Sequence, residues 1–199
     1  AQNLLNKNKA VHLICDVIKK DLIKYLNTEL FLVQSNLYLR ASRPKKPQSS
    51  ESVGWHRESF YGSNMEKSIN IWTPLKGVSK TNTLRFIPKS QKIKNNQIKT
   101  LKISSKDTKK FSNGHKLGFV YSPKIIKKGV DLTNSQPMIV KQNHSAIFSG
   151  NLIHGSALNL SNKIRFSLDF RVIKKKDYNI RNKKFHFASN KSYFVEYDN

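Results

Sequence analysis

A histidine and a glutamate one residue apart, His56 and Glu58, and a distant second histidine, His154, are the side chains here best suited to chemistry. Two imidazole nitrogens and one carboxylate oxygen make a three-ligand face for a divalent transition metal and leave the opposite coordination positions open to reactants. Arg165 follows His154 by eleven residues. A guanidinium fork there would grip a carboxylate-bearing cosubstrate in two places. The spacing of the first pair is weak evidence by itself. With 6 His and 12 Asp+Glu in 199 residues, about one chain in three of this composition would carry a His-x-acid match by chance.

The neighbouring residues narrow the reading. The pair lies in Gly54-Trp55-His56-Arg57-Glu58-Ser59-Phe60-Tyr61, and His154 opens a His-Gly-Ser run after a glycine turn. Between them stand Ile71-Trp72-Thr73-Pro74-Leu75 and Leu84-Arg85-Phe86-Ile87-Pro88-Lys89-Ser90-Gln91. In these segments, over roughly residues 35–172, the chain resembles the Fe(II)/2-oxoglutarate-dependent dioxygenases of the phytanoyl-CoA dioxygenase-like group, which includes ectoine hydroxylase.

The resemblance implies a mostly β fold, the double-stranded β-helix (jelly roll, cupin-like), with Fe(II) held by His56, Glu58 and His154. It implies that Arg165 binds the far carboxylate of the cosubstrate 2-oxoglutarate, helped by the Ser156 hydroxyl, with Thr73 a further candidate for that pocket. Dioxygen is the other cosubstrate implied. The activity implied is hydroxylation of a small metabolite, with release of succinate and carbon dioxide. Two departures stand out. Most relatives carry aspartate where this chain has Glu58, and the segment 87–91 lacks the glycine and histidine of the family's equivalent. The presence of a carboxylate at 58 argues against the halogenase variant.

These side chains need elements to position them. Apolar residues at Val11, Ile14, Val17, Ile18, Leu22, Ile23 and Leu26, with lysines opposite, predict a helix within residues 10–33 packed on a sheet. Residues 35–40 read as a strand with Tyr38 and Arg40 on one face, and residues 43–52 as a loop. Short strands are expected at 53–60, 68–75, 83–88, 139–140, 145–148 and 152–154, with a connection around 62–64 and a turn at 149–151. Read as a strand, 53–60 puts His56 and Glu58 on one face and Arg57 on the other. Residues 163–173 alternate most clearly: Arg165, Ser167, Asp169 and Arg171 share a face opposite Phe166, Leu168, Phe170 and Val172. If Arg165 points into a barrel, so do its three partners. A polar stripe in a lumen is costly unless it serves a site, so Arg171 and Asp169 become substrate candidates, as do Tyr38 and Arg40.

The length fits one domain, residues 1–199, with its core at about 35–173. Nine lysines in residues 89–116 predict a mobile basic loop, which would favour an anionic substrate. Residues 174–199 can be placed only loosely. Cys15 excludes an internal disulfide or a multi-cysteine zinc site and reads as a small buried hydrophobe. The histidines His12, His115, His144 and His186 read as surface or capping residues, with His144 the one that could take the place of His154 in another register.

The net charge of +25 leaves a nucleic-acid partner open. Thirty lysines against seven arginines, scattered through every segment together with 20 asparagines, suggest base composition of the genome as much as function. Two alternatives therefore remain: a nucleic-acid demethylase of the same superfamily, motivated by the charge and by the Arg165/Arg171 pair, and a non-catalytic β-barrel binding protein. No signal segment or membrane-length apolar run is present, which makes a cytoplasmic location the expectation. The chain opens on alanine, which leaves room for native residues ahead of it.

Overall fold

Helical spacing at the start of the chain gives three short helices rather than one. In the computed structural model, which describes residues 1–44, 54–102, 124–156, 158–182 and 193–197, these are α1 (Gln2–Lys7), α2 (Ala10–Val17) and α3 (Lys19–Leu26). Lys9 and Asn27 adopt the left-handed conformation (φ 50° and 51°) and close off α1 and α3; a short polar side chain makes asparagine a tolerable residue there. The run 31–33 departs from the expected helix. Its consecutive apolar residues suit an extended chain buried on both faces, and they form β1 (Phe31–Gln34), buried throughout.

The remaining elements are β2 (Tyr38–Ser42), α4 (Ser63–Lys67), β3 (Ile69–Lys76), β4 (Leu84–Phe86), β5 (Lys99–Lys102), β6 (Lys124–Lys128), β7 (Gln136–Pro137), β8 (Ala146–Ser149), β9 (His154–Ser156), β10 (Arg165–Lys174) and β11 (Phe194–Glu196). The major sheet runs β11-β1-β10-β3-β8, with β2 also on β10. The minor sheet is β7-β4-β9, and β5 pairs with β6. All pairs are antiparallel. The architecture is a jelly roll.

Strand parity divides the major sheet. Ile69 and Ile71 of β3 and Leu168, Phe170 and Val172 of β10 pack under Val11, Cys15, Leu22 and Leu26 of the helices. Asn70, Trp72, Ser167, Asp169 and Arg171 face the other way, into the cavity between the sheets.

Several expected elements are corrected. Residues 54–60 form no strand: His56 makes an isolated bridge to His154, and a 3-10 turn begins at once over Glu58–Phe60. The connection at 62–64 leads into α4, and the strand expected at 139–140 lies earlier, as β7. The basic stretch 89–116 is not a loop where it is described, since it holds turns at Ser90–Lys92 and Asn95–Gln97 followed by β5. Residues 103–116, like 45–52 of the expected early loop, lie outside the described residues. The loosely placed tail returns as β11, which pairs with β1.

Candidate metal and cosubstrate site

The two imidazoles are brought together by backbone. His56 N–H donates to the His154 carbonyl (3.0 Å) and His154 N–H to that of His56 (2.9 Å), placing the ring centroids 4.4 Å apart. Gly155 permits this approach, because a Cβ there would lie 3.3 Å from the Gly54 backbone. One residue on, the extended Arg57 turns its side chain away, donating to the Ile93 carbonyl (2.7 Å) and to Asn95. Glu58 is then held by its own N–H on the Gly150 carbonyl (2.7 Å). His56 and Glu58 thus converge as the sequence reading expected, through one extended residue and a turn rather than a strand face.

The donor atoms of His56, Glu58 and His154 lie within 4.8 Å of one another, all buried. Glu58 Oε1 is 4.0 Å from His56 Nε2 and 3.8 Å from His154 Nε2. His56 Nδ1 is 2.7 Å from the Gly54 carbonyl and His154 Nδ1 is 2.9 Å from that of Leu152. A carbonyl only accepts, so Nδ1 carries the hydrogen in both rings and each Nε2 presents a lone pair. Burial and the neighbouring His154 push His56 down to about 3, and burial lowers His154 as well. Both rings are therefore neutral at ordinary pH. Burial is the strongest influence on Glu58 and opposes its ionisation, but Arg171, by charge and hydrogen bond, together with the two histidines more than offsets it and keeps the carboxyl below its usual range. Its second oxygen, Oε2, is buried with no hydrogen-bond partner among the described residues. Two neutral imidazoles and an ionised carboxylate are a donor set that fits a divalent transition metal.

The inward face of β10 supplies the rest. Arg171 Nη2 lies 3.1 Å from Glu58 Oε1 and its Nη1 2.9 Å from Asp169 Oδ2, and Arg40 Nε is 2.8 Å from Asp169 Oδ1. The chain Arg40–Asp169–Arg171–Glu58 alternates in charge up to the metal-ligand face. Tyr38 stacks on this chain, 4.7 Å from the Arg40 guanidinium and 5.8 Å from that of Arg171. Arg165 is 2% exposed and donates from Nη1 to the Asn82 carbonyl (2.9 Å), while its Nε has no partner among the described residues. Burial lowers it to about 10, so it is still a cation at neutral pH. Ser156 and Ser167 line the same cavity.

One candidate falls outside. The Thr73 hydroxyl meets Ser145 Oγ (2.7 Å) on the helix-side face of β3, beside Ile14 and Ile147. It sits one position out of phase with the inward-facing Trp72, and so it cannot serve the cosubstrate pocket. Asn70, buried and inward, was missed; its even spacing from Trp72 was the available signal. His144 is exposed, with Nδ1 on the Gln142 carbonyl (2.9 Å), and it does not reach the site.

The profile of the phytanoyl-CoA dioxygenase family matches residues 2–167. No curated protein sequence matches the chain. Among solved structures the chain is similar to EvdO2 from Micromonospora carbonacea var. aurantiaca, at 14% identity and a TM-score of 0.55, over 87% of this chain and 68% of that one. The same protein complexed with 2-oxoglutarate gives 14% and 0.52, over 80% and 60%. SnoN, a non-heme alpha ketoglutarate dependent epimerase from nogalamycin biosynthesis, gives 12% and 0.51, over 87% and 60%. At these identities the likeness is one of fold. The chain spans about half the length of some structures it matches, 51% in the case of a non-heme monooxygenase.

Proposed function

The chain belongs to the phytanoyl-CoA dioxygenase family, and on that footing we propose that it is an Fe(II)/2-oxoglutarate-dependent oxygenase acting on a small metabolite. The observation that carries the proposal is the convergence of two Nε2 lone pairs and an ionised carboxylate within 4.8 Å, each imidazole oriented by a backbone carbonyl. His56, Glu58 and His154 would hold the iron, which with 2-oxoglutarate and dioxygen supplies the oxidising chemistry.

The residues of the chain then bind, orient and shield. Arg165, cationic and buried, would take the far carboxylate of 2-oxoglutarate, with the hydroxyls of Ser156 and Ser167 as further donors on the same cavity wall. Arg171 holds Glu58 in place from β10 and is itself held by Asp169, and the cavity-facing parts of both remain candidates to meet the substrate. Trp72, Leu84 and Phe148 line the cavity and exclude water, which strengthens every charged contact inside. Arg40 and Tyr38, less buried than Arg165, would meet the substrate. A substrate with an anionic group suits that arginine and the +25 charge of the whole chain, and hydroxylation with release of succinate and carbon dioxide is the outcome proposed.

The test is anaerobic reconstitution with Fe(II), followed by 2-oxoglutarate and air. The wild-type chain should bind one iron and form succinate, slowly without substrate and faster with the right member of a panel of small organic acids. His56→Ala should lose both iron and succinate formation. Succinate formed at the wild-type rate by His56→Ala would remove the assignment.

A further inference from the structure

One buried polar side chain has no part in the account above. Asn70 lies in β3, inward with Trp72, and is 3% exposed. It stands opposite Arg171 of β10 and Phe148 of β8 and lines the cavity together with His56, His154 and Arg165. Its Nδ2 is buried and has no hydrogen-bond partner among the described residues. The cross-strand neighbours cannot supply one, since a guanidinium only donates and the phenylalanine ring offers no oxygen. An unmatched buried donor carries the full desolvation penalty of the group. Asparagine is also a poor strand former, yet here it is the second residue of β3, a central strand, with a partner strand on each side. A residue that is wrong both for its element and for its burial marks a functional position.

Depth in the cavity indicates which ligand it meets. Asn70, Arg165 and Ser167 are at most 3% exposed, whereas the Arg40 and Asp169 side chains are 29% and 14% exposed. The cosubstrate must lie in the deep layer, between Arg165 and the His–Glu face, and the substrate in the outer one. We propose that Asn70 is a binding residue for the oxo acid, its amide donating to an oxygen of 2-oxoglutarate at the metal-facing end. The proposal rests on the oxygenase reading. It also accounts for an amide at this position: a carboxylate of the same shape has no hydrogen to donate and would repel an anionic cosubstrate.

The test uses the whole chain loaded with Ni(II), which binds without turnover, and titrates it with 2-oxoglutarate by calorimetry while Ni(II) affinity is measured separately. Asn70→Ala should bind 2-oxoglutarate roughly tenfold more weakly, the loss of one hydrogen bond to a charged group, with Ni(II) affinity unchanged. Asn70→Asp, equal in volume, should lose more, and it gives the same reading should the alanine variant fold poorly. Unchanged 2-oxoglutarate affinity, or an equal loss of Ni(II) affinity in a folded variant, overturns the role of Asn70. A wild-type chain that takes up neither Ni(II) nor 2-oxoglutarate overturns the oxygenase reading and this inference with it.

Discussion

Arg171 is the counter-charge of two carboxylates, the buried Glu58 and the partly buried Asp169. Glutamate reaches one methylene further than aspartate and has one more torsion to fix, and Arg171 fixes it from β10. Removing one member of such a pair leaves the others uncompensated. Arg171→Met should therefore destabilise the metal-free protein by about 3–5 kcal/mol, read as a fall in Tm. Mn(II) should then raise the Tm of the variant more than that of the wild type, because the cation takes over the balancing of Glu58. Equal Mn(II)-induced shifts in the two proteins would contradict this. The alternation in residues 165–171 made the inward stripe legible from sequence. What Arg171 touches was not, because Glu58 comes from a segment whose path depends on a contact across the fold.

The segment carrying His56 and Glu58 shows where sequence patterning stops at the level of elements. Its residues look strand-like, yet among the described residues no strand flanks it beyond the single bridge to His154, and the chain turns at Glu58. A strand is defined by its partner, which local residues do not specify. The turn at Gly150 is the other support: its carbonyl accepts from Glu58 N–H and its own N–H donates to Ser68. A Cβ at 150 would stand 2.7 Å from the carbonyl oxygens of Met65 and Ser68 and 3.2 Å from Glu58 Cβ. Gly150→Ala should shift Glu58 and lower Mn(II) affinity about tenfold, with the jelly roll retained by circular dichroism. Wild-type Mn(II) affinity in that variant would show that the turn does not position the ligand. The N-terminal helices illustrate the same limit, since their apolar spacing was visible but the left-handed breaks at Lys9 and Asn27 and the switch to β1 were not.

Across the whole molecule, one sheet face is covered by apolar helices and the other is lined by charge. The strands that carry this division, β3 and β10, were those whose alternation or flanking residues stood out. The pairing of β11 with β1 joins chain ends that no local pattern relates, and the scattered lysines gave little spatial information. Among the described residues no helix is long and apolar enough to cross a membrane. The central claim is that the histidines and glutamate of two distant segments form a single iron site at which 2-oxoglutarate binds. Anaerobic addition of 2-oxoglutarate to the Fe(II)-loaded chain tests it directly, since an oxo acid chelating iron gives a visible charge-transfer band. The band should appear in the wild type, saturate at one 2-oxoglutarate per iron, and be absent from His154→Ala. No band in the iron-loaded wild type, or an equal band in His154→Ala, would contradict the account.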